Sequence, residues 1–88
     1  MIQNNEYTYL ETAATTQIFL LSGTLVSIVI GETAAGSIKV IDGAGTASNI
    51  AELKSSIVEG EYKFNCRVKN GLKIIAASNT KFTVLWKK

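Results

Sequence analysis

The sequence predicts an all-β chain, a small antiparallel sandwich or jelly-roll-like barrel of seven or eight short strands. Two observations predict it. Apolar residues recur with a period of two, the signature of a strand with one wet face, and turn residues interrupt them every eight to twelve positions. One segment is ambiguous: SNIAELKSSIVEG has helical spacing, through Ile50, Leu53 and Ile57, and it also permits two short strands around a turn. Strand is the reading taken there, because its neighbours are strands and a lone short helix is marginal without packing.

In chain order, EYTYLET supplies a first strand, placed at a sheet edge, with Tyr7 and Tyr9 facing together. TTQIFLLSGTLVSIVI reads as two strands broken at Ser22-Gly23, the second apolar enough to be central and covered on both faces. GSIKVIDG is a strand running into the Gly-rich turn DGAGT. In EYKFNCRV, Tyr62, Phe64, Cys66 and Val68 oppose Glu61, Lys63, Asn65 and Arg67; in KFTVLWK, Phe82, Val84 and Trp86 oppose Lys81, Thr83, Leu85 and Lys87. Asn70-Gly71, a favoured pair for a two-residue hairpin, joins the former to GLKIIAAS. These spans, about 61–68, 72–77 and 80–87, are expected to form a C-terminal meander.

The 88 residues make one domain, 1–88, with residues 1–5 expected as a loose arm. A chain of this size has room for one small core, yet 47% of its residues are apolar, 18% are charged and the mean hydropathy is +0.21. Oligomerisation is one way to cover the excess. Expected in a core or subunit contact are Leu25, Ile28, Ile30, Ile38, Val40, Phe64, Cys66, Ile74, Phe82, Val84 and Trp86. Cys66 reads as a small buried apolar residue, with a reactive thiol or an intermolecular partner as alternatives. MIQNNEYTY lacks the basic and apolar regions of a signal peptide, and LVSIVI is far short of a bilayer span, so no membrane is expected.

Without His, imidazole-based triads and metal sites are excluded, and a single Cys excludes a zinc thiolate cluster. Glu59 and Glu61 are two apart on a strand, where a shared catalytic role competes with a solvated strand start. Asp42 opens DGAGTASN, which loosely resembles a phosphate cradle, but no Lys follows until Lys54, and a sharp turn is the simpler account. No catalytic residue and no cofactor are expected, and the chain reads as a non-enzyme.

Charge is partitioned along the chain. Residues 1–61 hold all seven acids and only Lys39 and Lys54, a net −5, whereas residues 62–88 hold seven cations and no acid. Lys63, Arg67, Lys69, Lys73, Lys81 and Lys87 are the candidate basic interface. A solvated face, a complementary protein interface and nucleic acid compete as explanations. Against nucleic acid stand the scarcity of Arg and the placement of Phe64, Phe82 and Trp86 on the core side rather than on an outward stacking platform. Tyr7 and Tyr9 suit sheet packing or, as a lesser option, a carbohydrate or receptor contact.

In order of elements, TLVSIVI, then SIKVID with a small-residue turn, then IAEL, then GEYKFNCRVKNGLKIIAASNTKFTVLWK, the chain resembles small β-rich structural proteins of tailed bacteriophages, found as head-fibre or capsid-decoration parts. The likeness runs from about Tyr7 to Lys87 and rests on strand order and the GLKIIAASNTKFTV pattern. It departs at IAELKSSIVEG, which is more charged and more compatible with a helix. The resemblance implies a virion structural protein made in the host cytoplasm, a homotrimer or other homo-oligomer in contact with capsid proteins. The alternative from another class is a small phage-encoded protein that binds or inhibits a host protein through its basic C-terminal sheet, with a nucleic-acid-binding β module as a lesser one.

Overall fold

The computed structural model describes residues 5–33, 35–43 and 48–88. Of the expected arm, residues 1–4 lie outside the described residues and Asn5 is exposed. Eight strands occur among the described residues: β1 (Glu6–Leu10), β2 (Ala14–Leu20), β3 (Gly23–Glu32), β4 (Ile38–Asp42), β5 (Ser48–Leu53), β6 (Gly60–Val68), β7 (Gly71–Ala76) and β8 (Lys81–Lys87). They build two four-stranded antiparallel sheets, sheet A in the order β1-β8-β3-β6 and sheet B in the order β2-β7-β4-β5. The chain is thus all-β, two sheets face to face in a slab of 34 × 33 × 17 Å.

The pairing is nested. β4 pairs with β5, β3 with β6, β2 with β7 and β1 with β8, as in one long hairpin folded over on itself. Two further pairings, β3 with β8 and β4 with β7, complete the sheets when the ribbon rolls up. This is the jelly-roll arrangement of an eight-stranded sandwich.

This order corrects the expected C-terminal meander. β6 and β8 lie in sheet A on either side of β3, and β7 lies in sheet B. The Asn70-Gly71 step is therefore a crossing between sheets and not a hairpin. A type I′ hairpin needs positive φ at both central residues, and of these two only Gly71 has it, at 107°. The backbone N–H groups of Lys69 and Asn70 instead donate to the Asp42 carboxylate at the end of β4, at 3.2 and 2.8 Å. Gly43 N–H donates to Gly71 O at 2.7 Å, which ties the start of β7 to sheet B.

Alternation places the core between the sheets. Across sheet A, Val84 and Ile28 stand in register with Thr8 and Tyr62. Across sheet B, Ile74 and Val40 stand in register with Thr16 and Ala51. Leu25, Ile28, Ile30, Ile38, Val40, Ile74, Phe82 and Val84 are all buried, joined by Val68, Leu72 and Phe19. Phe64, Cys66 and Trp86 are half-buried and pack against the margin of that cluster. Trp86 meets the Phe19 ring at 5.2 Å between centroids and donates its Nε1–H to Thr8 Oγ1 at 3.1 Å.

SNIAELKSSIVEG is strand in its first half and turn in its second. The register against β4 slips between Val40 and Ile41, leaving Ile50 as the extra residue. A bulge of this kind resets the inward phase, so Ile50, Ala51 and Leu53 all reach the core. A turn with Ser56 at φ 57° then returns Ile57 to it. The helix-like spacing of these apolar residues is thus produced by a bulge and a turn.

Candidate functional site: the outer face of sheet A

In a two-layer sandwich each strand has only one face against the core. β3 is central in sheet A, as expected, but the expectation that it is covered on both faces needs correction. Its inward residues Leu25, Ile28 and Ile30 are at most 2% exposed. Its outward residues Thr24, Val26 and Val29 are half-buried and belong to no core cluster. The ten-residue strand carries Val26 and Val29 on its outer side beside Thr24, and among the described residues that side has no layer over it.

The neighbouring strands extend this apolar strip. One cross-strand row runs Tyr7, Leu85, Ser27, Lys63, and the next runs Tyr9, Thr83, Val29, Glu61. β1 is an edge strand, as expected, with Thr8 and Leu10 turned inward and Tyr7 and Tyr9 outward, 72% and 52% exposed. Tyr9 is steadied by a hydrogen bond from its hydroxyl to Glu11 Oε2 at 3.3 Å. Ser27 sits beneath this surface, fully buried, and its hydroxyl has no partner among the described residues. A register shift between Leu25 and Ser27 in both flanking ladders accounts for its place: the bulge turns Val26 and Ser27 to the same side.

Sheet B is different. Its outward apolar residues, Ile41 and Ile75, lie in rows with Gln17, Lys73 and Asn49 and with Thr15, Lys39 and Glu52. Long polar side chains flank them, so this face is protected in the manner of an ordinary solvated sheet.

The six candidate cations do not form one stripe, because the meander that would have aligned them does not exist. Lys63 and Arg67 are exposed on the outer face of β6. Lys73 lies on β7 in the other sheet, opposite Gln17 and Ile41. Lys81, at the start of β8, pairs with Glu32 at 3.1 Å, and that hydrogen bond and charge raise its pKa; such an exposed pair adds little stability. Arg67 and Lys87 are brought together across Thr24 of β3. Lys69 sits in the turn after β6, beside the Asp42 clamp.

The other two sequence candidates lie at or beside strand ends. Glu59 accepts a hydrogen bond from Thr33 N–H at 3.2 Å, while Glu61 sits on β6 opposite Val29. Asp42 fastens the β6–β7 crossing as described, and the Gly45 part of DGAGTASN lies outside the described residues. No group of three or more His, Cys, Asp or Glu placed to hold a metal ion occurs among the described residues, and no helix among them is long and apolar enough to cross a membrane.

Cys66 is a free, half-buried thiol. Burial pushes its pKa up, and the nearby Asp42 charge adds to the shift. Since the thiolate is the nucleophile, iodoacetamide at pH 8 should modify Cys66 at least about fivefold more slowly in the folded chain than in urea. Equal rates would contradict this placement. The sign for stability follows: with the folded pKa above the unfolded one, the thiol's contribution is complete below the unfolded value of about 8.5. It is lost as pH rises through the folded value, a loss that Cys66→Ala should remove.

Sequence reasoning noted the two tyrosines but missed their alignment with Leu85 and Val29, and it missed Leu20 and Leu21, which are 58% and 75% exposed. A signal for the latter was present: four apolar residues in a row, IFLL, cannot all face inward on one strand. Compared with protein families, with curated proteins and with solved structures, the chain matches none of them.

Proposed function

We propose that this chain is a non-enzymatic structural protein that assembles with copies of itself through the outer face of sheet A, as a capsid-decoration or head-fibre component of a tailed-phage virion. The observation that carries the assembly reading is β3, a central strand whose core face is buried and whose outer face presents Val26 and Val29 with no layer over it among the described residues. Val26, Val29, Leu85, Tyr7 and Tyr9 then supply an aliphatic centre with aromatic flank, and Lys63, Arg67 and Glu61 a charged margin. That is the anatomy of a protein interface, with an apolar centre, a polar rim and enrichment in Tyr. A broad face of the slab measures about 34 × 33 Å, enough for the roughly 800 Å² per partner of a stable contact. The virion assignment is supported by the sequence resemblance and by the use of jelly rolls in viral capsid domains.

The test is absolute mass by light scattering after gel filtration, at low and high salt. A trimer or larger ring that resists salt is expected. Val29→Lys combined with Leu85→Lys, both outward, should give a folded 9.5 kDa monomer. A wild-type monomer at every salt concentration would overturn the assembly reading and favour a host-protein binder. Failure of the assembled wild type to co-sediment with empty phage capsids would remove the virion assignment alone.

A further inference from the structure

We propose a second contact surface, which shares only Arg67 with the margin of the first: the Leu20–Leu21 turn between β2 and β3, with its surrounding cations, is a docking tip for an anionic lipid surface. Leu20 and Leu21 are 58% and 75% exposed at the end of the sandwich. Leu21 has φ 64°, a left-handed backbone that a bulky side chain rarely adopts, and such outliers concentrate at functional positions. The turn is braced from behind. Gln17 Nε2 donates to Phe19 O at 2.9 Å and to Leu72 O at 3.0 Å. Lys88 Nζ donates to Leu20 O and lies 5.3 Å from the Phe19 ring centroid.

Cations surround the tip. Lys87 and Lys88 stand on one side at the end of β8; Arg67 is across Thr24, and Lys69 follows Val68, which pairs with Gly23. Of the acids at this end, Asp42 is occupied by the N–H groups of Lys69 and Asn70, and Glu6 lies opposite Trp86 on β1. The other five, Glu11, Glu32, Glu52, Glu59 and Glu61, fall at or toward the opposite end, with Lys39, Lys54 and Lys81. The charge split along the chain is thereby also a split between the ends of the molecule, which would orient the tip toward a negative surface. A protruding apolar turn fits a yielding acyl–headgroup boundary, and lysines beside it fit lipid phosphates. The run-length argument against a membrane span leaves such a contact open.

Vesicle sedimentation of the full chain tests this, with phosphatidylcholine alone or mixed with one-third phosphatidylserine. Binding at least tenfold tighter to the anionic vesicles is expected, weakening with salt. Leu20→Ser with Leu21→Asn should cut it at least fivefold while leaving the melting temperature unchanged or higher, because Asn tolerates positive φ. Lys87→Gln with Lys88→Gln should reduce both affinity and salt dependence. No binding to anionic vesicles, equal binding to neutral ones, or undiminished binding by the leucine variant would each overturn the proposal. The mass measurement above is unaffected by any of these outcomes.

Discussion

Phe82→Ala is expected to destabilise the fold by about 3–5 kcal/mol, the range for removing a fully buried Phe. Phe82 is 1% exposed. It faces the core from β8 in the same row as Leu10 and Ile30. Its loss would leave a cavity beneath a strand that holds β1 on one side and β3 on the other, so neither neighbouring strand can collapse into the space without breaking ladder hydrogen bonds. For a domain whose whole stability is on the order of 5–15 kcal/mol, this is a large fraction. Urea denaturation monitored by Trp86 fluorescence checks it; an unfolding free energy within about 0.5 kcal/mol of wild type would contradict the packing described.

Gly71→Ala is the second large effect, and its cause lies in the backbone. Gly71 sits at φ 107°, outside the range of ordinary L residues, and a β-carbon there would stand 2.9 Å from Phe19 O, a main-chain atom that cannot swing aside. The conformational penalty alone is about 1–3 kcal/mol. The clash falls where Gly71 O accepts from Gly43 N–H and where Leu20 pairs with Gly71. The variant should therefore lose stability and also loosen the β2–β3 turn. Equilibrium unfolding measures the first; amide exchange accelerated more at residues 19–21 than in β8, whose amides report the global loss, measures the second. A thermal midpoint equal to wild type would show that Gly71 is not confined as described.

Much of the fold was legible because alternation is local. EYKFNCRV and KFTVLWK each announce which side faces the core, and the TLVSIVI run announces a central strand. The partition of strands between sheets was not legible. β6, β7 and β8 would show the same alternation in a meander as in a jelly roll, because inward residues point to the same core in either case. What separates the two is the pairing of β3 with both β6 and β8, a relation between distant residues that leaves no mark in any short window. The error carried through to the cations: Lys73 was grouped with Lys63 and Arg67 on the strength of a sheet that does not form. The bulge at Ile50 was hidden for a related reason, since an inserted residue makes strand spacing imitate helix spacing.

The nested pairing also sets an order in time. The nearest paired residues are six apart in β4–β5 (Asp42 and Ser48), thirty in β3–β6 (Ile30 and Gly60), fifty-one in β2–β7 (Leu20 and Gly71) and seventy-two in β1–β8 (Leu10 and Phe82). Each closure shortens the loop that the next must close, so loop-closure entropy favours zipping outward from the middle, at the slow pace expected of topologies dominated by distant contacts. On that argument β1 is expected to dock last. The strand that brings Tyr7 and Tyr9 to the exposed face is thus added only when the rest has formed, and a half-folded chain presents an incomplete surface to its siblings. In the assembly proposed above, growth would then be reserved for molecules that have finished folding.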